Sequence, residues 1–83
     1  MIYTVYIKVY SQVGKFTGYI SQKFETESEA LLELVNIQVI LTDENFGSIT
    51  FYSDENGSEI TVLRSMMKLS IFELSVIEYI QKD

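Results

Sequence analysis

"SIFELSVIEYIQ", residues 70–81, sets how many helices this chain is expected to have. Ser70 and Glu73 stand three apart in the form of a capping box, in which the hydroxyl accepts from a free N–H of the first turn and the carboxylate reaches back. Phe72, Val76, Tyr79 and Ile80 then recur along one helical stripe, with Leu69 and Ile77 beside it. The spacing predicts a helix from Ser70 to about Gln81, entered through a Met66-Met67-Lys68 connector.

The same signature occurs earlier. Thr26-Glu27-Ser28-Glu29 is a capping box, and Ala30, Leu31, Leu34 and Val35 follow as a core-facing stripe, with Ile37 and Gln38 at its margin. This helix is read as ending near Ile40; the alternative is departure at Asn36 into a short strand using Ile37, Val39 and Leu41. Asp43 to Gly47 is a loop.

A hairpin precedes each helix. From Ile2 to Tyr10 the chain alternates, Tyr3, Val5, Ile7 and Val9 one way and Thr4, Tyr6, Lys8 and Tyr10 the other, the period of a strand with one buried side. After a turn at Ser11-Gln12-Val13-Gly14, Lys15 to Phe24 buries Phe16, Ile20 and Phe24 and turns Lys15, Thr17, Tyr19 and Lys23 outward. Gly18 falls on the buried side, a sign of close approach by another element or of a bulge. The second hairpin, Ser48 to Ser53 and Glu59 to Arg64, turns at Asp54-Glu55-Asn56-Gly57 and buries Ile49, Phe51, Ile60 and Val62.

The expected architecture is one small α+β domain over residues 1–83, ββαββα, a four-stranded antiparallel sheet with two helices on one face. The halves correspond at an offset of 44 residues, Val5 with Ile49, Ile7 with Phe51, Phe16 with Ile60, Thr26 with Ser70 and Glu29 with Glu73, which suggests a structural repeat.

Composition bounds the chemistry. The chain has 47% hydrophobic and 22% charged residues, the balance of a folding globular domain. It contains no cysteine, histidine, tryptophan or proline, so disulfides, thiolate or imidazole metal sites and cysteine nucleophiles are excluded. No apolar run approaches a membrane span, and the N-terminal segment lacks a basic-then-apolar leader pattern; the expectation is a soluble, cytoplasmic protein. Asp54 to Glu59 has carboxylates around a glycine, but the spacing is not that of a calcium loop. No nucleophile elbow, phosphate loop or dinucleotide fingerprint is present. The expectation is therefore no catalytic residue, no cofactor and no metal, in a domain too thin for a pocket of ordinary ligand size.

Charge is divided along the chain. Residues 1–24 hold Lys8, Lys15 and Lys23 and no acid, whereas between Phe24 and Leu63 there are nine carboxylates and no cation. Near the first helix N-terminus, Glu25, Glu27 and Glu29 meet the positive end of the macrodipole. Glu33, Asp43 and Glu44 stand where the dipole does not favour them, and Asp54 and Glu55 sit on the second hairpin. This points to a surface kept acidic for a partner with a basic, nucleic-acid-handling surface. The candidate acidic contacts are Glu25, Glu29, Glu33, Asp43, Glu44, Asp54 and Glu55. Small, free-standing acidic proteins of this kind occur among phage-encoded inhibitors of restriction and CRISPR systems.

A second candidate surface is the sheet face away from the helices, with Tyr6, Lys8, Tyr10, Tyr19, Lys23 and Tyr52. Rings flanked by ammonium groups stack single-stranded bases and neutralise phosphates, but three lysines in a chain of net charge −6 make nucleic acid the weaker expectation. Tyrosine also suits a protein contact or a homodimer seam.

Overall fold

Strand β1, Tyr3–Ser11, is the centre of the molecule, with Val5, Ile7 and Val9 wholly buried. The computed structural model describes residues 1–20, 22–43 and 45–80, and for residues 67–71 the backbone alone. After β1 come β2 (Gly14–Tyr19), α1 (Glu27–Thr42), β3 (Ser48–Ser53), β4 (Glu59–Leu63), a single 3-10 turn at Arg64–Met66, and β5 (Met67–Glu78). The strands form one antiparallel sheet in the order β4-β3-β2-β1-β5. No helix among the described residues is long and apolar enough to cross a membrane.

This overturns the expected four-stranded sheet with two helices: the domain is α+β, but it has five strands and one helix. The segment read as a second helix is β5, which pairs with β1 so that Val5 faces Val76, Ile7 faces Leu74 and Val9 faces Phe72. The ambiguity has a geometric cause. Phe72 and Val76 are four residues apart, a spacing that keeps two side chains on the same side of a helix and of a strand alike. Leu74 separates the two readings, since a helix carries it away from that stripe and a strand keeps it with them. Leu74 packs against the core, while Glu73 and Ser75 are exposed. β-branched Val76 and Ile77 favour the strand, and β1, buried and apolar, has a second edge whose N–H and C=O groups need partners. Tertiary pairing outweighs the capping pattern; the side chain of Ser70 lies outside the described residues. The 44-residue correspondence does not carry into the pairing: Ile60 faces Phe51, whereas their counterparts part, Phe16 facing Val9 and Ile7 facing Gly18, and the region that would match α1 is β5.

The first helix forms as its cap predicts and runs on to Thr42, which removes the short-strand alternative. The Thr26 hydroxyl accepts from the Glu29 N–H at 3.3 Å and donates to Glu29 Oε1 at 2.9 Å. Ala30, Ile37 and Leu41 are the buried positions, with Leu34 partly covered. Leu31 and Val35, expected to face the core, are instead 47% and 52% exposed. The helix packs on β1 and β5 from one side of the sheet, and Ile37 and Leu41 share a core with Phe51 and Val62 of the second hairpin.

Strand β2 stops at Tyr19, short of the expected Phe24. Beyond it, Ile20 N–H still bonds Val5 O at 3.0 Å, and Phe24 rejoins Tyr3 through two backbone hydrogen bonds of 2.8 Å. Between these points the Thr4 hydroxyl, fully buried, lies 3.0 Å from the carbonyls of both Ile20 and Gln22. Gly18 marks the close approach that its position suggested: a Cβ there would collide with the Tyr52 carbonyl and lie 2.8 Å from the Phe51 ring. β3 therefore meets β2 only around Gly18 and Tyr19, where the pairs are Gly18 with Ser53 and Tyr19 with Tyr52.

Candidate functional site

The sheet face opposite α1 follows from the β1 alternation. With Val5, Ile7 and Val9 inward, Tyr6, Lys8 and Tyr10 point the other way, and the register sets Tyr19 beside Tyr6, Thr17 beside Lys8 and Lys15 beside Tyr10. Tyr52 continues the row from β3. The sheet therefore brings Tyr6, Tyr19 and Tyr52 together on neighbouring strands, while Lys8 and Tyr10 lie further along β1.

The tyrosines form a connected set. Tyr6 and Tyr19 meet edge to face with centroids 5.5 Å apart, and Tyr19 meets Tyr79 in the same manner at 5.7 Å. Tyr79 is placed by β5, whose end is tied to β1 through Tyr79 N–H to Ile2 O at 2.7 Å. Reading residues 70–81 as a helix put Tyr79 on a core stripe and so missed it; the β5 alternation that carries Leu74 inward is the sequence signal that places it otherwise. Lys23 lies beyond the end of β2, and its Nζ sits over the Tyr79 ring, 3.9 Å from the centroid. Lys15 lies over Tyr10 at 5.6 Å, and Lys8 pairs with Glu73 on β5 at 3.7 Å, both groups well exposed.

The second hairpin supplies the other wall. Gly57 takes the left-handed conformation at φ +72°, as the Asn-Gly signal predicts, and its N–H bonds Ser53 O at 2.9 Å. The turn is braced by Asn56 Oδ1, which accepts from the Ser58 N–H at 3.0 Å and the Ser58 hydroxyl at 2.6 Å. Its Asp54 carboxylate is turned onto the sheet, accepting from the Tyr6 hydroxyl at 2.6 Å and the Thr17 hydroxyl at 3.0 and 3.1 Å. The hydrogen bond to Asp54 holds the Tyr6 phenol above the usual tyrosine range, because it favours the protonated form. Glu55, next in the turn, is exposed.

Between these walls lies a cleft of about 630 Å³, lined among others by Tyr19, Tyr52, Tyr79, Lys23, Asp54 and Glu55. An open cleft of this volume stands against the expectation that the domain is too thin for one; it is lined from the end of β2, the β3–β4 turn and the end of β5, segments far apart in the chain. Among the described residues no three carboxylates are gathered as metal ligands.

The other expected acidic contacts lie apart from this cleft's two carboxylates in the chain. Glu25 precedes α1, Glu27 and Glu29 occupy its first turn, Glu33 is half-buried along it, and Asp43 caps its end. Glu44 lies outside the described residues. None of Glu25, Glu27, Glu29, Glu33 and Asp43 forms an ion pair among the described residues, and the last turn of α1 carries no basic residue. The helix also shows what the expected core stripe concealed: Leu31, Leu32, Val35, Val39 and Ile40 are between 47% and 68% exposed. At about 100° per residue, Leu32, Val35 and Val39 point opposite to Ile37 and Leu41, so α1 carries a second apolar stripe, flanked by Glu29 and Glu33 on one side and Glu27 on the other.

Comparison with protein-family models, with curated proteins and with solved structures gives no match.

Proposed function

We infer that this chain is a non-catalytic protein-binding module whose helix α1 engages a basic partner. The observation that carries the reading is the outer side of α1, where exposed Leu32, Val35 and Val39 share the helix with Glu27, Glu29 and Glu33, none of which forms an ion pair among the described residues. Apolar side chains supply non-directional affinity on burial, and carboxylates select a cationic surface and speed its approach. The matching partner surface is an apolar strip bordered by lysine or arginine. Such strips occur on nucleic-acid-handling proteins, and an inhibitor of one of these, of the phage-encoded kind, is the specific role proposed.

The tyrosine face supports the nucleic-acid alternative less well. Glu73 already pairs with Lys8, and the Asp54 carboxylate sits among the rings, so a phosphate backbone meets local repulsion.

The test uses a synthetic amphipathic peptide of leucine and lysine, titrated into the 83-residue protein by calorimetry. Saturable binding is expected, weakening as salt rises, reduced at least tenfold by Val35→Asp and several-fold by the pair Glu29→Lys and Glu33→Lys. Binding unaffected by all three substitutions overturns the reading.

A further inference from the structure

The cleft beside the β3–β4 turn is separate from the α1 surface and raises its own question: which ligand suits rings, one ammonium and two carboxylates? We propose that it binds an organic cation, the ammonium or guanidinium end of an aliphatic chain, against the Tyr19, Tyr52 and Tyr79 rings and the Asp54 and Glu55 carboxylates.

The protein already performs this recognition on itself. Lys23 Nζ rests 3.9 Å from the Tyr79 centroid, and the ion pair found among the described residues is elsewhere, between Lys8 and Glu73. The Lys23 ammonium is thus held by a ring face, which attracts cations through its quadrupole. The Asp54 carboxylate is pinned by two hydroxyl donors, Tyr6 and Thr17, and no cation pairs with it among the described residues, so its charge is oriented before any ligand arrives. Glu55 adds a second, exposed carboxylate on the same turn.

Charge decides the class of ligand. Among the described residues an anion meets two carboxylates and one lysine in the cleft, and it faces a whole-protein charge of −6. A cation meets the reverse. A bare metal ion lacks a three-carboxylate set among the described residues, whereas the rings favour a weakly hydrated organic cation. The volume of about 630 Å³ lies within the range of small-ligand pockets. In this arrangement Lys23 is the internal occupant, and an incoming cation competes with it for Tyr79.

The experiment titrates the whole chain with spermidine, with an acetylated and amidated Gly-Arg-Gly tripeptide, and with adenosine monophosphate, following backbone and tyrosine-ring NMR shifts. Saturable shifts confined to Tyr19, Tyr52, Tyr79 and the turn are expected with spermidine, the tripeptide or both. Spermidine alone assigns the site to free polyamines, and the tripeptide alone assigns it to side chains of a protein; both outcomes support the shared chemistry. Lys23→Gln is expected to tighten binding about two- to fivefold by vacating Tyr79. Glu55→Gln, at an exposed turn, is expected to weaken it while leaving the unfolding temperature unchanged. No saturable shift at millimolar probe, weaker cation binding in Lys23→Gln, or adenosine monophosphate binding that Lys23→Gln abolishes would each overturn the proposal.

Discussion

The Tyr6 hydroxyl donates to the Asp54 carboxylate at 2.6 Å, joining the first strand to a turn 48 residues later. Thr17 donates to the same carboxylate, so the paired strands β1 and β2 are tied to the β3–β4 turn at one point on the open face. The bond matters because β2 and β3 meet over so short a ladder.

Tyr6→Phe is therefore expected to cost about 1–2 kcal/mol at neutral pH, toward the low end for a hydrogen bond to a charged group because the phenol is only partly buried. The pH dependence has a definite sign. Asp54 favours the neutral phenol, so the folded-state pKa of Tyr6 lies above its unfolded value near 10. The contribution is complete below that unfolded value and is lost as pH rises through the folded one. Urea unfolding at pH 7 and in steps above pH 10 should show wild type and Tyr6→Phe converging; parallel curves would mean that the phenol does not titrate against Asp54.

Gly18→Ala tests the close approach of β3 to β2. The added methyl meets the Tyr52 carbonyl and the Phe51 ring, and neither can retreat cheaply because Phe51 is fully buried. A loss of roughly 2–4 kcal/mol is expected, the scale of an overpacked site compounded by a backbone shift. An unaltered denaturation midpoint would show that this approach is absent.

Leu74→Ala distinguishes the strand from the helix over residues 72–78. As a strand residue packed against the core beside Ile7, it should cost about 2–3 kcal/mol. Glu73→Ala, at an exposed pair with Lys8, should change stability by under about 0.5 kcal/mol. Equal, small effects at both positions would argue for a helix.

The two stripes of α1 make opposite predictions. Ile37→Ala and Leu41→Ala remove buried side chains and should each cost about 2–4 kcal/mol. Leu32→Ser and Val39→Ser, on the outer stripe, should stay within about 0.5 kcal/mol of wild type apart from helix propensity. Thermal unfolding of all four decides it, and a large loss at Leu32 would mean that the outer stripe is covered within the monomer.

Much of this was legible in local pattern. The alternation around Val5, Ile7 and Val9, the Thr26 cap, the Asn56-Gly57 turn and the suspicion attached to Gly18 all follow from rules that act within a few residues. The outward tyrosines of the first hairpin follow from the same alternation. The course of residues 67–78 did not, because Phe72 and Val76 satisfy both periods and Ser70 with Glu73 imitates a helix start. Nor did the orientation of α1, since a helix apolar on two opposite sides does not announce which one the sheet will take.

Short-range stereochemistry thus settled where the chain turns, where it extends and which side of β1 is apolar. Long-range pairing settled the rest: β5 is a strand because the second edge of β1 required hydrogen-bonding partners, and Tyr79 joins Tyr19 and Lys23 only because that pairing carries it there. The cleft likewise exists because strand pairing brings Tyr19, the β3–β4 turn and Tyr79 together from distant parts of the chain, and contacts between distant segments have no counterpart in local periodicity.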